Sequence, residues 1–309
     1  MDAFAVVFPG QGSQSVGMAD PWVGHPAGRA VLEEASEAMG RDVVAGCHDD
    51  AALATTAFVQ PALLVVGLAG FAVCGAEGMP VPVGVAGHSL GEYAALVAAG
   101  VLTLSEALDL VVVRGAAMQR AGEANPGTMT ALLGVDAEAA TALCDEVRGD
   151  DTLLVANLNS PVQVVASGSI PAIERLEALA KERKTRAVRL PVAGAFHSPL
   201  MEPARTVIDE RIDELTFRAP RFPIAENVTG TLVDDPRELA ALLKRHVVSP
   251  VRWEDCARAL TAAGATTFVE PGAGDVLTKL QKRIDPDVRA VAVGSPAAAR
   301  ALLAASSAP

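Results

Sequence analysis

A serine between two glycines, at the end of a short apolar run, constrains the fold more than any other feature of the chain. Residues 87–91 read Gly-His-Ser-Leu-Gly, after the apolar residues 81–86 and before the helix-favouring residues 93–99. The pattern predicts a strand, a sharp turn and a helix, with Ser89 on a strained, exposed turn where Gly87 and Gly91 remove colliding side chains. The alternative is a glycine-rich turn with an ordinary capping serine, so the rest of the sequence must decide.

Composition limits the class of protein. The chain has 309 residues, half of them hydrophobic, which suffices for one large domain or two smaller ones. The four cysteines lie far apart, which argues against a zinc site and a disulfide framework and fits a reducing compartment. The first residues lack the basic segment of a signal peptide. We therefore expect a globular cytoplasmic protein without a metal.

Charge and hydropathy limit the partners. The formal net charge of -12 at pH 7 makes nucleic acid and anionic membranes unfavourable general partners. The longest apolar stretch, residues 62–74, is shorter than the about 20 residues that a membrane-spanning helix needs, so it predicts a buried core helix. We expect a monomer with no nucleic-acid partner and no membrane association.

An inserted unit is predicted between two parts of a larger α/β domain. Hydrophobic periodicity there gives the order β-α-β-β-α-β, which is typical of a ferredoxin-like unit. The predicted elements are strand 129–133, helix 137–147, strand 153–156, strand 163–166, helix 171–183 and strand 187–190. We place the small subdomain at 127–193, and the large subdomain at 1–126 and 194–309.

A glycine-rich loop follows the first predicted strand, residues 4–8. Gln11 lies between two glycines that let the backbone come close to a ligand, so it could present an N–H group to an oxyanion. A dinucleotide-binding fingerprint would need a glycine at position 15, where the chain has Ser15. The loop therefore indicates an anion contact other than a dinucleotide phosphate.

Arg114 interrupts the apolar face of a predicted helix that opens with the capping box 103–106. A guanidinium cannot be neutralised and is costly to bury alone, so we expect it to meet a carboxylate from the protein or from a ligand. The alternative, of equal weight from spacing alone, is an internal ion pair or a side chain that reaches the edge of the stripe. The same face also carries Met118.

His197 is the best candidate for a general base, because it lies in a turn-rich segment between a predicted strand and a predicted helix. A serine followed by a later histidine is the order found in α/β hydrolases, where an acidic residue usually orients the imidazole. No acidic residue stands out for that role. We expect His88 to line the site, and the remaining histidines to be solvated: His25, His48 and His246.

Taken together, these segments resemble the malonyl-CoA:acyl carrier protein transacylases and occur in that family's order. Segments 10–14, 60–62, 87–92, 114–115 and 194–197 carry the resemblance, and 157–161, 227–228, 250–253 and 270–277 extend it over nearly the whole chain. The resemblance implies a hydrolase-like large subdomain with a parallel sheet and an inserted ferredoxin-like small subdomain. That fold agrees with the predicted order of elements.

The resemblance also implies a ping-pong acyl transfer. Ser89, activated by His197, would take the malonyl group from malonyl-CoA and pass it to the phosphopantetheine thiol of an acyl carrier protein, with no permanently bound cofactor. The backbone N–H groups of Gln11 and Leu90 would form the oxyanion hole. Arg114 would pair with the free carboxylate of the malonyl group.

Further site residues follow from the same resemblance. The backbone carbonyl of Arg252 would orient His197, at a position where members of the family often have glutamine. Phe196 would fill the space that an α-methyl branch needs, which favours malonyl over methylmalonyl groups. The remaining substrate-binding residues would be Gln60, His88 and Met118.

Two other functions stay open: a trans-acting polyketide-synthase acyltransferase with another acyl substrate, and a serine thioesterase or hydrolase. Arg114 and a histidine oriented by a carbonyl favour the acyltransferase over the hydrolase. An inactive scaffold is disfavoured because Ser89, His197, Arg114 and Gln11 are all present. The densest basic run, residues 181–189, is a candidate docking site for an acidic carrier protein, with a solvated helix end as the alternative.

Overall fold

Two β-sheets organise the part of the chain that the computed structural model describes, residues 3–306. The strands are β1 (Phe4–Phe8), β2 (Gly84–Gly87), β3 (Gly127–Leu133), β4 (Leu153–Ser160), β5 (Gln163–Ser169), β6 (Arg186–Arg189), β7 (Ile224–Ala225), β8 (Leu232–Val233), β9 (Thr267–Pro271) and β10 (Arg289–Val293).

Helices cover and connect these sheets. They are α1 (Asp20–Val23), α2 (Pro26–Met39), α3 (Val43–Gly46), α4 (Asp50–Leu53), α5 (Thr56–Ala76), α6 (Gly91–Ala98), α7 (Leu104–Ala124), α8 (Ala137–Val147), α9 (Ile170–Glu182), α10 (Glu202–Asp213), α11 (Pro236–Arg245), α12 (Trp253–Ala262), α13 (Val276–Ile284) and α14 (Pro296–Ser306). Short 3-10 helices occupy Pro199–Met201 and His246–Val248.

The large sheet has the strand order β10-β9-β1-β2-β7-β8. Its strands pair in parallel except for β8, which is antiparallel to β7. The central strand β1 is buried along its whole length, as expected for a parallel sheet covered on both faces. Because β1 and β2 are parallel neighbours, the loops that follow them lie at the same edge of the sheet. Gln11 and Ser89 are in those two loops.

The small sheet has the order β4-β5-β3-β6 and is antiparallel throughout. Its elements follow the chain order β3-α8-β4-β5-α9-β6, so the predicted ferredoxin-like arrangement is confirmed. Strand β4 is longer than predicted, because it continues past two register shifts and pairs with β5 as far as Ser160.

The apolar helix α5 corrects one expectation and confirms another. It spans 21 residues, Thr56–Ala76, because the helix begins before the apolar stretch at residues 62–74 and includes Gln60 and Pro61. It is the one helix within residues 3–306 that is long and apolar enough to cross a membrane by length and composition, and the predicted shortfall in length is therefore wrong. Its most apolar window has a mean hydropathy of 2.1 and is 83% buried inside the protein, so the prediction of a buried core helix is confirmed.

A backbone pairing attaches the segment between α11 and α12 to the small sheet. The N–H group of Val251 donates to the carbonyl of Ala156 in β4 at 2.8 Å, and the N–H of Leu158 donates to the carbonyl of Val251 at 2.9 Å. This pairing fixes the segment that precedes α12 against the edge of the small sheet. The segment between α11 and α12 is thereby held beside His197.

Candidate active site

The predicted turn at Ser89 is present and sterically demanding. Ser89 follows β2 with φ +51°, a conformation that residues other than glycine rarely adopt. A Cβ atom on Gly87 would lie 1.8 Å from the backbone carbon of Gly91, and one on Gly91 would lie 2.0 Å from the carbonyl oxygen of Phe8. No side chain fits at either position, so both glycines are needed to seat α6 directly behind the serine.

The hydroxyl of Ser89 contacts His197. Ser89 Oγ lies 2.8 Å from Nε2 of the imidazole, and Nδ1 lies 3.0 Å from the carbonyl oxygens of both His246 and Ser249. Carbonyl oxygens only accept, so Nδ1 carries the proton and Nε2 is free to accept from the serine hydroxyl. This tautomer is the one that a general base needs.

Burial keeps the His197 imidazole neutral. Burial first, and the positive charge of Arg114 second, lower its pKa from 6.5 to about 3. The hydrogen bonds to the two backbone carbonyls act in the opposite direction, but they are weaker than burial. At pH 7 the imidazole is therefore uncharged and able to take a proton.

The predicted role of the Arg252 carbonyl is wrong. The carbonyls that contact Nδ1 of His197 belong to His246 and Ser249, which lie six and three residues before Arg252 in the chain. The Arg252 side chain instead pairs with Asp255 at the surface, and its N–H donates to the carbonyl of Asn227 at 2.9 Å. The short 3-10 helix at His246–Val248 turns the two carbonyls towards the imidazole, and no side-chain pattern encodes that turn.

His246 is also not solvated as expected. Its side chain is fully buried, and its Nε2 lies 3.2 Å from Oδ1 of Asn227. His25 caps α2 through Nδ1, and only His48 is well exposed, where it pairs with Asp20. Proximity to Lys244 and Arg245 in sequence does not indicate exposure here, because α11 ends at Arg245 and the 3-10 helix that follows begins with the buried His246.

Arg114 lies fully buried beside the nucleophile. Its Nη1 donates to Oε1 of Gln60 at 2.6 Å, and its Nη2 donates to Oγ of Ser89 at 3.2 Å. The guanidinium also stands over the ring of Tyr93, 5.3 Å from the centroid. Within residues 3–306 no carboxylate forms an ion pair with it, and its Nε has no hydrogen-bond partner. An internal ion pair is therefore not the reason that this arginine is buried.

Gln60 and Met118 complete the surroundings of the guanidinium. Both side chains are buried, and Nε2 of Gln60 lies 3.7 Å from the sulfur of Met118. Phe196 is 6% exposed and directly precedes the base in sequence. The structure therefore brings Gln60 and Met118 into one cluster with Arg114.

His88 faces the small sheet. Its Nε2 donates to Oδ1 of Asn159 in β4 at 2.8 Å, and its ring lies 5.6 Å from that of Trp253, centroid to centroid. Burial lowers the pKa of His88, so this imidazole is also neutral. It does not contact the hydroxyl of Ser89 in the way that His197 does.

Asn227 is part of the site, although the sequence predicts no role for it. It is fully buried after β7, where Oδ1 accepts from the N–H of Ser89 at 2.8 Å and Nδ2 donates to the carbonyl of Gly87 at 2.8 Å. The sequence signal was weak, since a single asparagine after a two-residue strand looks like an ordinary turn residue. Among residues 3–306 no group of three or more His, Cys, Asp or Glu side chains is arranged to hold a metal ion.

Comparison with known proteins shows the family of this chain. The acyl transferase domain family model matches residues 5–291. The chain is 39% identical over 307 residues to the malonyl CoA-acyl carrier protein transacylase of Salmonella typhimurium, covering 98% of this chain and 99% of that protein. It is 38% identical over 301 residues to the protein of the same name from Bacillus subtilis, covering 96% of this chain and 95% of that protein.

Solved structures give the same result. The acyl-carrier-protein S-malonyltransferase of Burkholderia pseudomallei superposes with a TM-score of 0.94 at 38% identity, covering 98% of this chain and 99% of that one. A malonyl-transacylase solved in complex with a type II polyketide acyl carrier protein has a TM-score of 0.94 at 36% identity, with coverage of 98% and 99%. With matches over nearly its full length, this chain belongs to the acyl transferase family.

Proposed function

We propose that this acyltransferase moves a malonyl group from malonyl-CoA to the phosphopantetheine thiol of an acyl carrier protein. The observation that carries the proposal is the buried Arg114 guanidinium, which has no carboxylate partner among the described residues and lies 3.2 Å from the nucleophile. In a malonyl thioester one methylene separates the free carboxylate from the reacting carbonyl. A guanidinium beside Ser89 Oγ is therefore at the right distance to bind the carboxylate while the serine attacks the carbonyl.

The first half-reaction forms an ester on Ser89. Oγ attacks the thioester carbonyl carbon while its proton passes to Nε2 of His197, 2.8 Å away. The carbon–sulfur bond then breaks, and the proton on Nε2 goes to the departing thiolate of coenzyme A. Malonyl-Ser89 and free coenzyme A remain.

The second half-reaction reverses these roles. The phosphopantetheine thiol of the carrier protein gives its proton to Nε2 of His197, and the resulting thiolate attacks the ester carbonyl. The bond between the acyl carbon and Oγ breaks, and Oγ recovers the proton from the imidazolium. Malonyl carrier protein is released, and the enzyme returns to its starting state.

The backbone N–H groups of Gln11 and Leu90 are the proposed oxyanion hole. They lie in the adjacent loops that follow β1 and β2, and within residues 3–306 neither has an acceptor in the protein. Free N–H groups at this edge can bind the oxyanion that develops in both half-reactions. The first turn of α6 faces the same point.

Substrate binding also tunes the base. The charge of Arg114 is the second cause of the low His197 pKa, after burial. A bound malonyl carboxylate offsets that charge, which makes the imidazole a stronger base while the correct substrate is present. An acetyl group gives no such compensation.

Several further features of the proposal rest on sequence. We propose a monomer that works in the cytoplasm without a metal or a permanently bound cofactor, and subdomains that divide at residues 127 and 193. The four free, buried cysteines support a reducing compartment, and the extent of the small sheet from β3 to β6 supports the subdomain bounds. Phe196 is the proposed determinant against an α-methyl branch, and His88 is proposed to line the site.

A second candidate is the loading of a polyketide carrier protein by the same chemistry. The polyketide biosynthesis protein ThaF of Burkholderia thailandensis is 38% identical over 312 residues, which cover 99% of this chain and 26% of that protein. A solved relative is in complex with a type II polyketide carrier protein. Both candidates use the same site, so only the carrier protein distinguishes them.

The test is transfer to two carrier proteins. The enzyme is incubated with malonyl-CoA and with a type II fatty-acid or type II polyketide carrier protein, each with and without its phosphopantetheine arm. We expect the carriers that bear the arm to gain one malonyl group by intact mass, and those without it to gain nothing. Release of free malonate without transfer would instead identify a thioesterase.

A further inference from the structure

We infer that Asn227 is a positioning residue for acyl transfer, whose amide holds the nucleophile turn and links it to the segment that orients the base. The inference rests on the proposed function, because it assigns Asn227 a part in the same reaction. The side chain is fully buried behind the turn. It therefore acts through Ser89 and His197.

The amide holds the backbone on both sides of the nucleophile. Nδ2 donates to the carbonyl of Gly87 and Oδ1 accepts from the N–H of Ser89, each at 2.8 Å. These groups belong to the two peptide units that flank His88, at the point where β2 ends. One planar amide thus fixes the relative orientation of two peptide units. That constraint opposes relaxation of the unfavourable φ of +51° at Ser89.

The same amide oxygen connects the turn to the base. Nε2 of His246 lies 3.2 Å from Oδ1 of Asn227, and since Oδ1 only accepts, the imidazole donates. The backbone carbonyl of His246 in turn accepts from Nδ1 of His197 at 3.0 Å. A single residue, His246, therefore contacts both the amide that holds the nucleophile and the base that activates it.

Asn227 is itself held from α6. Its backbone N–H donates to Oε2 of Glu92 at 2.9 Å, and both residues are buried. Glu92 lies three residues after Ser89, so the helix that begins at the nucleophile also anchors the residue that positions it. These hydrogen bonds form a closed loop that runs from the turn through Asn227 and Glu92 back to α6.

The test compares N227A, N227D and the control Q281A. Gln281 is also a buried carboxamide, in α13 and outside the contacts described above. The readouts are the single-turnover rate of malonyl-Ser89 formation, the Kd of malonyl-CoA, and the rate at which a fluorophosphonate probe labels Ser89. Circular dichroism of each variant reports folding.

We expect N227A to slow both acylation and probe labelling by about 100-fold, which is typical when reacting groups are misplaced by about 1 Å. The Kd of malonyl-CoA is expected to stay within about threefold, because Arg114 and Gln60 are not touched. Q281A is expected to acylate at the wild-type rate. A loss in N227A no larger than in Q281A would overturn the inference.

N227D provides a pH signature that a purely structural role would not give. The introduced carboxyl can donate to the Gly87 carbonyl only when protonated, so the labelling rate is expected to fall as the pH rises through its pKa. The wild-type rate is expected to stay flat over that range, with folding unchanged in both. If N227A does not fold, N227D alone tests the inference. A pH profile of probe labelling in N227D that is identical to that of the wild type would then overturn the inference.

The probe separates this inference from the proposed function. If malonyl-CoA does not acylate the wild type but the probe labels Ser89 and depends on Asn227, the proposed function fails and the positioning role stands. If malonyl-CoA acylates the wild type and N227A equally fast, the positioning role fails and the proposed function stands.

Discussion

Arg114 shows how a buried charge can be kept available for a ligand. The protein supplies Gln60 and the ring of Tyr93 as partners but no carboxylate within residues 3–306, so one guanidinium nitrogen remains directed at Ser89. Burying a charge in this way is costly, and the cost is lowered when an anionic ligand enters. The spacing of residues along α7 indicated this arginine, but only the structure shows that the protein does not neutralise it.

Replacing Arg114 is expected to change acyl selectivity. R114A should lower kcat/KM for malonyl-CoA by about 100-fold or more, because the substrate carboxylate loses a charged, bidentate partner in a buried site. Transfer from acetyl-CoA should be spared or improved, since the charge that weakens His197 is removed. R114K keeps the charge without the planar fork, so its kcat/KM for malonyl-CoA should lie between those of the wild type and R114A. An equal loss with both acyl-CoAs would make Arg114 a structural residue.

Replacing Phe196 is expected to relax selectivity by different physics. F196S should raise kcat/KM for methylmalonyl-CoA relative to malonyl-CoA, because we propose that the ring, which is buried, occupies the space that an α-methyl branch needs. A mismatch of one methyl group in an apolar pocket is worth about 1–3 kcal/mol of discrimination. Competition between the two acyl-CoAs measures the ratio directly. An unchanged ratio, with malonyl transfer intact, would show that the ring does not contact the α-carbon.

At the residue scale, the sequence predicted the features that depend only on the geometry of a local turn. Gly87, Gly91 and Ser89 identify the nucleophile turn because their spacing is itself the steric requirement. The carbonyls that hold His197 were misassigned, since every residue has a carbonyl and only the path of the backbone selects among them.

At the scale of elements, the site depends on where parallel strands end. β1 and β2 are neighbours, so their loops converge and α6 begins directly behind Ser89. Several helices were predictable from hydrophobic periodicity: α8 has the expected bounds, and the capping box at Thr103 begins α7 as expected. The full lengths of α5 and β4 were not predictable, because tertiary packing and pairing with β5 extend them past the apolar pattern.

Glu92 in α6 makes stability depend on pH in a predictable direction. Burial first, and the nearby Glu226 second, raise the pKa of Glu92 well above 4.5. A carboxyl group whose pKa is raised in the folded state stabilises the fold fully below its unfolded pKa, and this contribution is lost as the pH rises. The wild type therefore loses stability from Glu92 above about pH 4.5.

E92Q removes that titration while keeping an oxygen that can accept from the N–H of Asn227. The free energy of unfolding of E92Q, relative to the wild type, is expected to increase by up to about 1.4 kcal/mol per pH unit from pH 5 to pH 8. Urea denaturation at each pH measures the difference. A difference that is constant over this range would mean that Glu92 is ionised in the fold with an ordinary pKa.

At the scale of the whole molecule, the nucleophile and the base come from segments that lie far apart in the sequence. Ser89 follows a strand of the large sheet, while His197 lies beyond the last strand of the small sheet and is held by the segment that pairs with β4. The order of elements predicted the small sheet, and the family resemblance implied the parallel large sheet. The sequence did not predict the pairing of Val251 with β4, because that pairing connects residues far apart in sequence.

The basic run at 181–189 also looks different in three dimensions. Arg183 pairs with Glu146, and Arg189 pairs with Glu177, so part of its charge is neutralised within the small subdomain. Lys181, Lys184 and Arg186 line a shallow cavity of about 510 Å³. Carrier-protein docking at this run stays a prediction. The three cations that line the cavity are the side chains that we expect to contact the carrier protein.

The central claim is that Ser89 carries the malonyl group between the two thiols, and intact mass spectrometry of the enzyme tests it most directly. The wild type and S89A are each mixed with malonyl-CoA and then with a carrier protein that bears its phosphopantetheine arm. A sample is quenched after each step, and the intact mass of the enzyme is measured. The wild type is expected to gain the mass of one malonyl group and to lose it again when the carrier protein is added. S89A, with an unchanged circular dichroism spectrum, is expected to gain nothing. A malonyl group found on S89A would contradict the account. So would a wild-type enzyme that transfers a malonyl group to the carrier protein without itself gaining the mass of that group.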